Sequence, residues 1–214
     1  MGTEHASEIL KSSAIRPPQD TEMMRQDLQQ SEWFMSVFLR FMLSDGAGAC
    51  LLQNRPASVG TSFEIDWTFS RSFAHEEPLC MKLVNRSSLL SQDVRILSKY
   101  FIPSVEKFVG EALQRLGASP AEYHVILPHM SSFYFRRKME RVIRKFTRPE
   151  SETVDYWTNL ATVGNTGAAS IFIMLDEYVR THSLNSGDRI LLFIPESGQF
   201  NFVLISLRVV RAEA

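Results

Sequence analysis

The apolar positions of this chain follow three patterns, and each predicts an element. Val94, Leu97, Phe101, Val105, Phe108, Val109, Ala112 and Leu116 recur at steps of three and four up to Gly117, one face of a long helix, with Pro103 as a kink or restart inside it. The segment SSFYFRRKMERVIRKF repeats that spacing. It sets Phe135, Met139, Val142, Ile143 and Phe146 on one face and Arg137, Lys138, Arg141, Lys145 and Arg148 on the other. A third helix is predicted from near Thr166 through ASIFIMLDEYVRTH. In TSFEIDWTFSRSF the period is two: Phe63, Ile65, Trp67 and Phe69 alternate with polar neighbours as in a half-buried strand. Short apolar runs read as buried strands at residues 49–52, after the small-residue turn SDGAGA, and in YHVILPH, RILLFIP and FNFVLISLRVV. The first of these and TSFEIDWTFSRSF could pair as a hairpin across RPASVG.

Strands alternate with helices in the middle of the chain and pair directly at both ends, which predicts a mixed α/β sheet covered by helices, without internal repeats. The first 35 residues are polar, and the paired prolines of RPPQD make them a loop or connector. At 214 residues, 44% hydrophobic and with 15 Phe, the chain can fill a core as one large domain or two small ones. Because 23 Lys plus Arg face 24 Asp plus Glu, no global field points to nucleic acid or an anionic membrane, and any electrostatic partner must meet a local patch. Two cysteines, with no CxxC and no histidine at ligand spacing, indicate neither a zinc site nor a disulfide framework. A cytoplasmic setting is therefore expected, the more so as MGTEHASEIL lacks signal-peptide regions and no run approaches the roughly 18–20 apolar residues of a membrane span.

Candidate chemistry concentrates at two positions. His129 ends a predicted strand and Asn165 precedes a predicted helix, where α/β proteins expose side chains to a crevice. An imidazole N–H and a carboxamide N–H could together polarise one carbonyl oxygen. Taken singly, each has a plainer reading, a satisfied structural histidine and a helix N-cap.

Four ordered motifs, SDGAGACLL, LPHMSS, VGNTGAAS and NSGDRILL, resemble the carboxy-terminal half of β-ketoacyl-acyl-carrier-protein synthase III and its thiolase-fold relatives, over residues 38–210. The resemblance implies a thiolase-like fold, with 46–214 as its C-terminal half, a mixed five-stranded sheet covered by helices, and 1–45 as a connector and remnant of the N-terminal half. It implies a decarboxylative Claisen condensation of fatty acid or related polyketide and secondary-metabolite synthesis, with acyl-CoA and malonyl-acyl carrier protein as substrates and no metal or tightly bound organic cofactor. His129 and Asn165 would be the catalytic pair that holds the malonyl thioester oxygen. Gly167, Ala168 and Ala169 would let the helix terminus approach the crevice and neighbouring helices closely.

The family nucleophile is a cysteine well upstream of the DGAGA motif, and this chain has none there. Cys50 and Cys80 read as structural or incidental thiols. GTEHASEIL resembles the end of the strand that follows the nucleophile helix, so the expectation is a truncated or split synthase. Such a chain would be inert in condensation without a cysteine-bearing half or a complete synthase subunit, and would form homo- or hetero-oligomers, dimers by analogy with the family. The competing expectation is a non-catalytic partner subunit that stabilises or regulates a complete synthase. Seven of the 23 basic residues lie between positions 136 and 148. In the family a basic surface near the active-site mouth receives acyl carrier protein, which makes Arg136, Arg137, Arg141 and Lys145 docking candidates; a solvated helix face is the plain alternative. Nucleic acid fits poorly, since no recognised binding motif accompanies the charges and the net charge is −1.

Overall fold

The computed structural model describes residues 1–8, 37–84, 89–146 and 155–211. In chain order its strands are β1 (Gly2–Glu4), β2 (Gly46–Gly48), β3 (Ser62–Ser72), β4 (Met81–Val84), β5 (Leu89–Gln92), β6 (Val125–Pro128), β7 (Arg189–Glu196) and β8 (Asn201–Val210). Its α-helices lying clear of the undescribed stretches are α1 (Val94–Leu116), α2 (Arg136–Phe146), α3 (Leu160–Val163) and α4 (Ser170–Thr181). The RPPQD connector and Arg148 lie outside the described residues.

The main sheet has the order β3-β8-β7-β6. Its β3–β8 and β7–β8 pairs are antiparallel and its β6–β7 pair is parallel, so it is mixed as expected. Among the described residues it has four strands rather than five: residues 155–157 run along the outer side of β6 but make a single bridge, Ile126 to Tyr156, flanked by two backbone hydrogen bonds. Both faces of β7 are buried. Leu191 and Phe193 face the aromatic core under α1 and α2, while Ile190 and Leu192 face α4. Burial on both faces is why this strand reads as an unbroken apolar run.

On the α1 side, Phe101 and Phe108 pack against Phe202, and Phe108 also meets Phe69 and Phe193. Asp93 caps α1 by accepting the Arg95 and Ile96 N–H groups, and Gly117 closes it in the left-handed region at φ 60°. Pro103 does not restart the helix. It removes one backbone donor from a 23-residue element whose buried stripe runs from Leu97 to Ala112.

Two strand expectations are corrected. Residues 49–52 form no strand, and Leu51 and Leu52 are exposed. The strand is instead Gly46–Gly48, and it pairs antiparallel with β1 rather than with β3. The register along β3 also shifts between Ile65 and Trp67. One extra residue turns the later side chains to the opposite face, so Phe63 packs with the α4 cluster while Trp67 and Phe69 join the α1 cluster. The bulged residue, Asp66, pairs with Arg208 at 2.8 Å and Arg189 at 3.4 Å.

Candidate active site

The site begins at the end of a parallel strand. Past Pro128 the β6–β7 ladder continues by one bond, the His129 N–H donating to the Phe193 carbonyl at 2.8 Å. This bond holds the His129 backbone where an α/β sheet opens its crevice. The imidazole is half-buried, Nδ1 is fully buried without a hydrogen-bond partner among the described residues, and burial pushes the ring's pKa down to about 4. At neutral pH the ring is uncharged and carries one N–H.

Asn165 is 4% exposed. Its backbone is held by a parallel bridge to Leu43 and by the Ser44 N–H, which donates to its carbonyl at 2.8 Å. Its Oδ1 accepts the Gly167 N–H at 3.2 Å. A backbone N–H can only donate, so this contact fixes which way the carboxamide points and leaves Nδ2 as a donor without a partner among the described residues. The N-cap expectation is corrected: the cap position of the turn is Thr166, which makes no side-chain cap bond, and Asn165 instead closes a two-residue turn through Oδ1.

His129 and Asn165 line the same cavity, of about 1510 Å³. Its wall is largely apolar, with Phe172, Leu192, Ile205 and Leu207 from the α4 side and Phe135 and Met139 from the start of α2. The small residues after Asn165 serve a neighbour that the pattern did not suggest, the β1–β2 ribbon rather than other helices. A Cβ on Gly48 would lie 2.4 Å from the Phe172 Cβ, and one on Gly2 2.2 Å from the Ala168 oxygen. Among the described residues no group of three His, Cys, Asp or Glu could hold a metal.

The cysteines separate. Cys80 is buried, its thiol donates to the Asp93 carbonyl at 3.4 Å, and burial pushes its pKa up to about 11, so it is not a nucleophile. Cys50 is exposed, in the wall of the cavity. Ser131, from the LPHMSS motif, also lines the cavity, as does Glu4, which no local periodicity marks.

The four basic candidates also divide. Arg136 pairs with Glu140 at 3.2 Å and donates to the Tyr156 hydroxyl, while Lys145 pairs with Glu106. Arg137 and Arg141 are exposed and, with Glu140 and Arg144, line a shallow depression on the outer face of α2. The inner face of the same helix puts Met139 into the cavity wall.

Residues 113–195 match the family described as 3-Oxoacyl-[acyl-carrier-protein (ACP)] synthase III C terminal. The chain is 31% identical over 106 residues to the β-ketoacyl-acyl-carrier-protein synthase III of Desulfotalea psychrophila, covering 49% of this chain and 31% of that one. It is 27% identical over 166 residues to the same enzyme of Streptomyces glaucescens, covering 71% and 46%. The chain therefore spans less than half the length of these curated relatives. A crystal structure of a Xanthomonas campestris OleA variant superposes with a TM-score of 0.65 over 96% of this chain and 56% of that one, at 18% identity, a likeness of fold alone. The fold is thiolase-like, as expected. No helix among the described residues is long and apolar enough to cross a membrane.

Proposed function

We propose that this chain, whose residues 113–195 match the 3-oxoacyl-acyl-carrier-protein synthase III C-terminal family, supplies the oxyanion-binding side of a decarboxylative condensing site. A second, cysteine-bearing half supplies the nucleophile. In the reaction, the bond between the malonyl carboxylate and its α-carbon breaks, carbon dioxide leaves, and the electron pair moves onto the thioester to form an enolate. The enolate carbon then attacks the acyl thioester on the partner's cysteine, forming the new carbon–carbon bond and releasing that thiolate.

The observation that carries this reading is that His129, with its orphaned Nδ1, and an oriented Asn165 line one cavity. A purely structural histidine has its buried nitrogen satisfied; among the described residues this one has no partner, which fits a ring held for the use of its other nitrogen. A neutral imidazole donating from Nε2 and a carboxamide donating from Nδ2 suit charge that appears only as the carboxylate departs. The apolar wall takes the acyl chain, and Arg137 and Arg141 receive the acidic carrier protein.

The test is malonyl-thioester decarboxylation by the chain mixed with a cysteine-bearing synthase half. His129→Ala and Asn165→Ala should each slow it by about 10²–10³-fold, the usual effect of removing one oxyanion donor. Activity surviving the double variant would sink the assignment. Condensation lost in Cys50→Ala while decarboxylation persists would move the nucleophile into this chain. The second reading, a non-catalytic partner subunit, rests on the burial of Cys80, and it predicts no decarboxylation for either variant to remove.

A further inference from the structure

We infer that Glu4 is a positioning residue for the Asn165 carboxamide, an inference that rests on the reading of Asn165 as an oxyanion donor. Glu4 ends β1, opposite Gly46, and lines the same cavity as Asn165, Gly167 and Ala168. Its carboxylate Oε2 accepts the Ala168 N–H at 3.3 Å, across 164 positions of sequence. The Gly167 peptide lies directly against that oxygen: a Cβ there would be 2.2 Å from it, and the residue sits at φ +48°. The Gly167 N–H in turn donates to Asn165 Oδ1 at 3.2 Å.

Two successive N–H groups of this turn, with no partners inside the following helix, thus have one acceptor each. Asn165 takes the first, and Glu4 takes the second. Remove the Glu4 oxygen, and the Ala168 N–H competes for Asn165 Oδ1, so the carboxamide rotates to share it and Nδ2 moves off its line into the cavity. The ribbon cannot slide to compensate, because its glycines are already seated against Ala168 and Phe172.

The measurement is the side-chain amide resonance pair of Asn165 in the ¹⁵N-labelled full chain, assigned by its loss in Asn165→Asp. Glu4→Ala should shift or broaden that pair, while Glu4→Gln, which keeps an acceptor oxygen, should leave it near its original position. The Asn185 amide pair, remote at the turn before β7, should not change in either. Glu4→Met carries the same expectation as Glu4→Ala should the latter fail to fold, since it keeps the stem and lacks the acceptor. In the complemented enzyme, decarboxylation kcat should fall about two- to tenfold in Glu4→Ala at unchanged KM, the scale of one hydrogen bond, and recover in Glu4→Gln. An Asn165 signal unmoved by Glu4→Ala and Glu4→Met overturns the inference. Decarboxylation that survives Asn165→Ala overturns the donor role instead, even if the signal responds to Glu4.

Discussion

His129 bears on stability as well as on the proposed chemistry. Its native pKa of about 4 lies below the ordinary 6.5, so between these values the unfolded chain binds the proton and the native one does not. Stability is therefore intact above pH 6.5 and falls on acidification toward pH 4, by about 1.4 kcal/mol per pH unit at most from this group. Thermal unfolding followed from pH 7 to pH 4 should show a shallower loss in His129→Gln than in the wild type; an unchanged slope would mean the ring is not neutral in the native state. The candidate pair was legible as types, a histidine after a strand and an asparagine before a helix. Their burial, the orphaned Nδ1 and the orientation of the carboxamide were not, because burial and backbone placement depend on neighbours such as Ser44 and Phe193 on other segments, and the carboxamide follows a turn geometry that residue types alone do not record.

Elements carry the next set of consequences. Phe108 is fully buried and touches three other rings, so Phe108→Ala should cost about 3–5 kcal/mol in denaturant unfolding, through lost burial and an unfilled cavity. Gly48→Val pushes β2 off Phe172 and should cost about 1–3 kcal/mol as overpacking. That variant should also perturb the Asn165 side-chain amide, since the same ribbon carries Glu4. On α2, Arg137→Glu with Arg141→Glu should raise KM for carrier-bound malonyl substrate by about tenfold at low salt, fading as salt rises, while KM for the coenzyme A thioester stays put. An equal effect on both substrates would remove the docking role. Helices were read well because a period of three to four survives any tertiary arrangement. The β3 alternation misled because a bulge at Asp66, stabilised by Arg189 and Arg208 from β7 and β8, turns the strand over.

For the whole molecule, the exposed apolar side chains are concentrated outside the main sheet. Phe41 is 84% exposed, Leu51 88%, Leu52 73% and Val59 86%. Isolated apolar residues on a surface are ordinary, but four side chains this exposed, with Leu51 and Leu52 in the wall of the candidate cavity, suit contact with another chain. Sedimentation of the purified chain should show concentration-dependent association, relieved by adding a cysteine-bearing synthase half. A strict monomer at all concentrations, indifferent to that half, would contradict the proposed division of the active site.

The local pattern by itself determined the three long helices, the buried strands β6, β7 and β8, the α/β class and the residue types of the site, since periodicity, caps and motif order are properties of neighbouring positions. Only the tertiary structure decided that β2 pairs with β1, that β3 changes faces at Asp66, that Cys80 is inert, and that Glu4 stands against the turn that orients Asn165. Those outcomes arise from contacts between segments far apart in sequence, where burial, hydrogen-bond competition and the space left by missing side chains act together, and no short window of residues records them.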